Sequence, residues 1–406
     1  MRKAVRTSIR LLHSASALSL GLFLQLTVGA CGGALPADDS SALRDGGADA
    51  SEPVRAKGRR EQCNGIDDDL DGRIDEGCPI RITRDPKDDA YPSLSGTRVA
   101  WTRDNADQTG VEIWVRDLPY GNERLIAKGY YPSLSGNRVA FLRDNQIIVY
   151  DLNTTQETVI DCPDARFVQA PRLDGDRVAW SQIQKGGEEN YEVVVFDLKT
   201  RERFIVGSHD TIQEFPLLSG NTLVWNDDRF GHHTVGLYHL YDIFWADLGV
   251  SARPHPIAQV THRSGDLVYD FVTALDQNRV ALNESRGDLL DTRQKPRPCT
   301  PIIVDLQTGI RTAIAPETRE CYGVLALSGN RAILEYDAYG VSDLYLVKLQ
   351  TGERLQLTNY PRRSTRAKLD GNLLVWQDDR NDTWDLYMMD LTDIDSGDLH
   401  PEGVDL

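Results

Sequence analysis

Residues 92–101 read PSLSGTRVAW, and six near copies of this stretch follow along the chain. In each copy, runs of apolar and β-branched residues flank a short polar turn, which is Ser-Gly or Asp-Gly in six of the seven. This pattern predicts two short strands joined by a tight turn. The further copies are PSLSGNRVAF at 132–141, PRLDGDRVAW at 171–180, PLLSGNTLVW at 216–225, TALDQNRVAL at 273–282, LALSGNRAIL at 325–334 and AKLDGNLLVW at 367–376.

Each copy continues into a third strand-like run that ends in Asp-Leu or a similar pair, such as IVYDL at 148–152. A turn such as QTG at 350–352 then leads to a fourth run, RLQLT at 354–358. Four strands repeated at intervals of about 40 to 57 residues are typical of propeller blades. We therefore predict an all-β fold, a seven-bladed β-propeller over residues 80–392.

The last copy supplies only three strands. Ile80-Arg-Ile-Thr83 matches the fourth run LQLT at 355–358 and lies just before the first copy. We expect it to pair with the strand around 386–391 and to close the ring, which removes free sheet edges. Because strands alternate in direction, the tight turns should share one end with Cys78. The long connections that hold Asp227, His232, His233 and Asp379 should lie at the other end, as a binding face.

Two copies carry a longer signature. They read Asn226-Asp-Asp-Arg-Phe-Gly231 with Asp242-Ile-Phe-Trp245, and Gln377-Asp-Asp-Arg380 with Asp385-Leu-Tyr387. The repeats resemble those of TolB-like (PD40) propellers over residues 80–392. The resemblance implies the architecture, whereas propellers of this type serve as docking surfaces, enzyme domains and polysaccharide lyases alike.

The N-terminus has the features of an export signal. Arg2, Lys3, Arg6 and Arg10 precede an apolar stretch from Leu11 to Ala30, which predicts a signal peptide over residues 1–30. Its end, Val-Gly-Ala-Cys at 28–31, resembles a bacterial lipobox, which implies that Cys31 carries lipid. Residues 31–60 have few large apolar side chains and predict a flexible linker. An uncleaved membrane anchor is the alternative, but polar residues dilute the segment.

These features predict a protein that the lipid holds at the cell envelope, in the outer membrane, on its periplasmic or its cell-surface side. The net charge of −17 repels phosphate backbones, so we expect no nucleic-acid partner. A protein or carbohydrate is the expected partner of the propeller. Residues 393–406 form a C-terminal tail.

Residues 61–79 hold an Asp-rich segment between Cys63 and Cys78. Asp67, Asp69, Asp71, Arg73 (through its carbonyl oxygen) and Asp75 fall at alternate positions of a calcium loop, and Glu76 must replace its usual final ligand. Hard oxygen ligands favour calcium. The segment resembles the cysteine-bracketed Asp-rich motif of bacterial surface proteins. The alternative is a solvated acidic turn without metal.

Export also makes disulfides possible. We predict that Cys63 pairs with Cys78 and Cys299 with Cys321, because each pair brackets a single unit of the sequence. Cys162 has no obvious partner and is predicted to be a small buried residue.

The chain lacks the common hydrolase, protease and nucleotide-binding motifs, so we assign no catalytic residue. The predicted function is non-enzymatic binding or scaffolding by the propeller surface. The alternative is a metal-dependent polysaccharide lyase that uses His232 and His233. The two Asp-Asp-Arg sequences are predicted to pair with neighbouring blades. Candidate residues of the binding face are Asp227, Asp228, Arg229, His232, His233, Asp379 and Arg380.

Overall fold

The structure is a computed structural model, and it describes residues 77–105, 110–186, 190–207, 211–229, 241–250, 257–261, 267–269, 272–286, 299–316, 322–338, 340–392 and 394. The chain divides into two compact units, residues 1–57 and 58–406, and all described residues belong to the second. The predicted signal peptide, linker, lipidated Cys31 and Asp-rich loop lie outside them. The described part contains β-strands and no helix, so it has no helix that could span a membrane.

In the part of the chain that the structure describes, thirty strands form seven sheets, each of which is one blade. Blades one to three consist of β2 (Asp89–Ser95), β3 (Arg98–Asp104), β4 (Val111–Asp117) and β5 (Arg124–Lys128); β6 (Tyr130–Ser135), β7 (Arg138–Arg143), β8 (Gln146–Asp151) and β9 (Glu157–Ile160); and β10 (Ala165–Val168), β11 (Arg172–Asp174), β12 (Arg177–Gln184), β13 (Tyr191–Asp197) and β14 (Arg203–Val206). In blade three the innermost strand is split into β10 and β11, which both pair with β12.

The remaining blades repeat this order. Blades four to six consist of β15 (Gln213–Ser219), β16 (Thr222–Asp227), β17 (Asp242–Asp247) and β18 (Ile257–Gln259); β19 (Leu267–Tyr269), β20 (Ala274–Asp276), β21 (Arg279–Arg286), β22 (Cys299–Asp305) and β23 (Arg311–Ala313); and β24 (Tyr322–Ser328), β25 (Arg331–Ala338), β26 (Val341–Lys348) and β27 (Glu353–Gln356). Blade seven combines β28 (Ser364–Asp370), β29 (Leu373–Asp378) and β30 (Asp385–Asp390) with β1 (Ile80–Arg81) from the other end of the propeller.

The innermost strands form a closed ring around the axis, because each contacts the innermost strand of the next blade and β28 contacts β2. All neighbouring strands within a blade are antiparallel. The short turns that follow the first and third strands therefore lie at one end of the propeller, the turn end. The other connections lie at the opposite end, the connection end, as the sequence predicts.

The ring closes as predicted. Ile80 pairs with Met388 and Arg81 with Tyr387, and the Ile82 amide donates to the Leu386 carbonyl at 2.8 Å. The Thr83 hydroxyl accepts a hydrogen bond from the Leu386 amide at 2.8 Å, and it is buried. This register places Cys78 at the turn end, also as predicted.

The apolar core lies between adjacent blades. One cluster, for example, packs Ala100, Ile113 and Val115 of blade one against Val139 and Phe141 of blade two. The last residue of the quoted stretch is fully buried in every copy, and each such side chain contributes roughly 1.5 to 3 kcal/mol. These residues are Trp101, Phe141, Trp180, Trp225, Leu282, Leu334 and Trp376.

The Ser-Gly and Asp-Gly pairs join the blades as well as turning the chain. The Ser or Asp side chain of one blade accepts a hydrogen bond from the amide of the next turn, and the set closes into a ring of seven. The donor and acceptor pairs are Gly96 with Asp370, Gly136 with Ser95, Gly175 with Ser135, Gly220 with Asp174, Gln277 with Ser219, Gly329 with Asp276 and Gly371 with Ser328. Gly96 has a φ of 56°, a conformation that favours glycine.

Candidate binding face

The first Asp-Asp-Arg sequence forms a buried clamp inside blade four. Asp227 is fully buried, and its carboxylate accepts hydrogen bonds from Trp225 Nε1 at 3.1 Å and from Arg229 Nη2 at 2.5 Å. The Arg229 guanidinium lies over the Phe244 ring at 4.1 Å. Asp228 is also buried and accepts from the Ile212 amide at 2.7 Å.

Blade seven repeats the clamp. Asp378 is fully buried and accepts from Trp376 Nε1 at 3.1 Å, from Ser364 Oγ at 2.7 Å and from Arg380 at 2.7 and 2.8 Å. The predicted pairing of Asp-Asp-Arg with neighbouring blades is therefore wrong. The arginine follows its aspartate by only two residues, so the chain turns back and pairs them within one blade. Asp379 is less buried and accepts from Arg363 at 2.7 and 3.0 Å.

Blade one builds the same clamp from a different sequence. Asp89 on β2 accepts from Trp101 Nε1 at 2.7 Å and from Arg103 at 2.6 and 2.9 Å. Burial raises the pKa of Asp89 to about 6, against the opposing effect of Arg103. Sequence reasoning missed this pair because Asp89 lies on the strand before Arg103. All three clamps hold their buried carboxylates in hydrogen bonds, which satisfies them and stabilises the blade.

A second feature of the connection end is a set of bulges near the start of the innermost strands. The pairing register shifts there in blades one, two, four and seven. The bulged residues Tyr91, Tyr131, Phe215 and Arg366 have φ angles of 52° to 55°. Bulky residues rarely adopt this conformation, and bulges of this kind re-aim side chains beside functional sites. The sequence signal that could have revealed these bulges is the aromatic residue that stands directly before the proline in three copies of the quoted stretch.

These four residues, which we call the inner rim, lie where the innermost strands begin. The Tyr91 and Tyr131 rings meet edge to face at 5.2 Å, and the Arg366 guanidinium lies over Tyr91 at 4.2 Å. Phe215 is 45% exposed. The rim thus combines aromatic rings with a cation at the connection end of the innermost strands.

Polar groups lie next to Phe215. Glu214 accepts from Tyr241 Oη at 2.6 Å and from Gln169 Nε2 at 2.8 Å, which links blades three and four. Burial and the neighbouring Glu214 charge raise the pKa of Tyr241, so its hydroxyl stays protonated. Aromatic rings beside fixed hydrogen-bonding groups suit the recognition of a carbohydrate or a peptide.

His232, His233 and the Asp-rich ligands Asp67, Asp69, Asp71, Arg73, Asp75 and Glu76 lie outside the described residues. Within the ranges that the structure describes, no group of three His, Cys, Asp or Glu side chains is placed to hold a metal ion.

Cys78 and Cys299 are both disulfide-bonded. Their predicted partners, Cys63 and Cys321, fall outside the described ranges, so the pairing stays a prediction. Cys162 is free and buried, as predicted, and burial raises the pKa of its thiol to about 11.

No protein-family model and no curated protein sequence matches the chain. Among solved structures, the β-propeller domain of the trilobed protease from Pyrococcus furiosus has a TM-score of 0.58 at 17% identity, over 76% of this chain and 98% of that one. Its propeller has an open velcro topology, whereas here β1 pairs with β30.

An oligogalacturonate lyase in complex with manganese has a TM-score of 0.59 at 12% identity, over 78% of this chain and 94% of the lyase. The acylaminoacyl peptidase of Pyrococcus horikoshii has a TM-score of 0.56 at 16% identity over 75% of this chain. The match covers about half of the length of the peptidase. At these identities the similarity shows a shared fold. The chain is a seven-bladed β-propeller similar to those of peptidases and a lyase.

Proposed function

We propose that this protein is a non-enzymatic binding protein of the cell envelope, whose partner docks on the inner rim. The observation that carries the proposal is the set of bulged aromatic residues with strained backbone, Tyr91, Tyr131 and Phe215, at the start of the innermost strands, where Phe215 is exposed. The buried Asp-Asp-Arg clamps support the proposal, because their carboxylates are engaged in hydrogen bonds that stabilise the blades. A protein or carbohydrate fits this surface by its aromatic and hydrogen-bonding character.

The finer parts of the proposal rest on sequence. TolB-like repeats fit the propeller, the lipobox-like end of the signal implies anchoring through Cys31, and the oxygen-rich loop at 67–76 suits calcium. The manganese of the oligogalacturonate lyase makes a metal plausible in a propeller of this fold, without favouring calcium.

The test is capture of a partner from envelope extract by the purified protein and by Tyr131→Ala and Phe215→Ala variants. Tyr120→Ala is the matched control, since Tyr120 is 71% exposed in a turn at the other end. We expect both rim variants to lose the partner and Tyr120→Ala to retain it. Equal capture by all variants would contradict the proposal.

A polysaccharide lyase is the alternative, and it depends on His232 and His233. Uronate polymers incubated with the protein and either manganese or calcium distinguish the two functions. Unsaturated product that disappears in His232→Ala or His233→Ala would replace the binding function by the enzymatic one.

A further inference from the structure

Two large apolar side chains protrude from the turn end of the propeller. Tyr120 is 71% exposed and Ile310 is 64% exposed, the highest values for large apolar side chains among the described residues. Both lie in the turn between the third and fourth strands of a blade, Tyr120 after β4 in blade one and Ile310 after β22 in blade five. The corresponding turn of blade four holds Val250, which is 37% exposed. Three blades therefore present an apolar side chain at the same end.

Tyr120 and Ile310 each border a cleft between two blades. The cleft beside Tyr120 has a volume of about 430 Å³ and lies between blades seven and one, and the cleft beside Ile310 has a volume of about 240 Å³ and lies between blades five and six. Aliphatic side chains from both neighbouring blades form much of the lining. They are Leu118, Leu373 and Met388 in the first cleft, and Ile303, Ile314, Val347 and Leu349 in the second. Each protruding side chain is thus part of a continuous apolar surface, which marks an interaction site more strongly than an isolated exposed residue does.

The N-terminal part of the chain joins the propeller at this same end. Cys78 lies at the turn end, and Ile80, the first residue of β1, lines the same cleft as Tyr120. Residues 1–76 precede this point and include the predicted signal peptide and the predicted lipidated Cys31. Of the two ends of the propeller, the turn end is therefore the one that is joined to the predicted membrane attachment.

The charges of the turn end favour one class of lipid. Six of the seven third strands end in an aspartate there, and all six are partly or fully exposed: Asp117, Asp151, Asp197, Asp247, Asp305 and Asp390. Backbone amides of the following turns lower the pKa of Asp151 and Asp305, so both are charged at neutral pH. Arginines offset part of this charge, as Arg98 does beside Asp117 at 2.6 Å. Carboxylates repel anionic headgroups and attract the ammonium group of a zwitterionic phosphatidylethanolamine.

A flat surface can contact three blades at once, whereas a small ligand reaches only one cleft. Tyrosine favours the boundary between lipid headgroups and acyl chains, and an aliphatic side chain is stabilised when it leaves water there. We propose that the turn end of the propeller docks on a zwitterionic lipid surface through Tyr120, Val250 and Ile310. Docking of this end directs the inner rim away from the membrane.

The test uses the full-length protein, attached by its own N-terminal region to vesicles of phosphatidylethanolamine and phosphatidylcholine. An environment-sensitive fluorophore is attached to Gln350→Cys, in the turn between β26 and β27 at the turn end, or to Lys185→Cys, between β12 and β13 at the connection end. Both positions are exposed, and the buried Cys162 stays unlabelled. We expect the emission at residue 350 to shift to shorter wavelength on the vesicles, and the emission at residue 185 to remain that of a dye in water.

Substitution of the protruding side chains shows whether they hold the propeller on the lipid. The combined Tyr120→Ala and Ile310→Ala variant should lose the shift at residue 350, because the apolar contacts are gone. Its melting temperature should not fall, since both side chains are mainly exposed. Val159→Ala is the matched control and should keep the shift, because Val159 is 41% exposed on the outermost strand β9. Replacement of part of the zwitterionic lipid by anionic phosphatidylglycerol should reduce the shift.

A water-like emission at both labelled positions, a shift that survives the double substitution, or a larger shift on anionic vesicles would overturn the proposal. The proposal shares only the envelope location with the proposed function. The inner-rim variants Tyr131→Ala and Phe215→Ala test partner capture at the opposite end of the propeller, so failure of either proposal leaves the other measurable.

Discussion

The strand that closes the ring offers a sharp test of how the propeller is held together. Thr83 follows β1, and its hydroxyl accepts the Leu386 amide of β30 at 2.8 Å. Two other blades use the same bond: Thr261 accepts from Ile243 and Thr358 accepts from Leu344, both at 2.9 Å. Thr83→Val keeps the shape of the side chain and removes the hydroxyl, which accepts from the Leu386 amide and also donates to the Asp89 carboxylate.

The expected cost follows from burial. Thr83 is 1% exposed and Leu386 is fully buried, so water cannot replace the lost hydroxyl. An unsatisfied buried donor costs about 1 to 3 kcal/mol, and we expect about 2 kcal/mol here. A propeller of about 310 residues has an unfolding entropy near 0.65 kcal/mol per degree, so the melting temperature should fall by about 3 °C.

Thermal and urea denaturation monitored by circular dichroism measure this change. Thr358→Val should lower the free energy of unfolding by about the same amount. Its hydroxyl accepts from the Leu344 amide in the same way, within a blade formed by one continuous segment of the chain. Thr158→Val is the control, since Thr158 lies on the outermost strand β9 and forms no side-chain hydrogen bond among those that the described residues show; it should change stability little. A Thr83→Val protein as stable as the Thr158→Val protein would refute the reasoning.

Four other predictions address the clamps, the thiol and the N-terminal region. Asp378→Asn leaves Arg380 buried beside a neutral group and should cost about 3 to 5 kcal/mol in urea denaturation, whereas Asp382→Asn, in an exposed pair with Arg362, should change it little. Cys162 should react with iodoacetamide slowly at pH 8 and faster as the pH approaches 11, because the thiolate forms only there; mass spectrometry that finds rapid native labelling at pH 8 would count against this. Excess calcium should raise, and a chelator lower, the melting temperature if residues 67–76 bind calcium in the native state; identical scanning-calorimetry curves would remove the metal proposal. Cys31→Ala should move the protein out of the membrane fraction, and immunoblotting that still finds it in membranes would argue against lipid anchoring.

The architecture could be predicted because the fold repeats itself. A pattern that recurs seven times, with an orphan fourth strand at Ile80–Thr83, determines the number of blades and the way the ring closes. Strand periodicity and turn residues carry this information locally, and each copy confirms the others.

The contacts of the candidate site could not be predicted in the same way. The sequence shows Asp227 and Arg229 together but does not say whether the arginine reaches a neighbouring blade or folds back, since that depends on the bend after β16. The bulges at Tyr91 and Phe215 were also missed, because a register shift changes which side chains face the axis without changing the residues themselves.

The ring of hydrogen bonds between the turns bears on how such a protein could have grown. Each ten-residue unit carries an amide that binds to the preceding blade and a Ser or Asp side chain that binds to the following one. A tandem duplication of one unit therefore supplies a complete joint on both of its sides without any compensating substitution elsewhere. The copy at 273–282 shows that the joint also tolerates divergence. Its donor is the backbone amide of Gln277, whereas the other six donors are backbone amides of glycine. Gene duplication could thus add whole blades, while selection altered the exposed connections independently of the joints that hold the blades together.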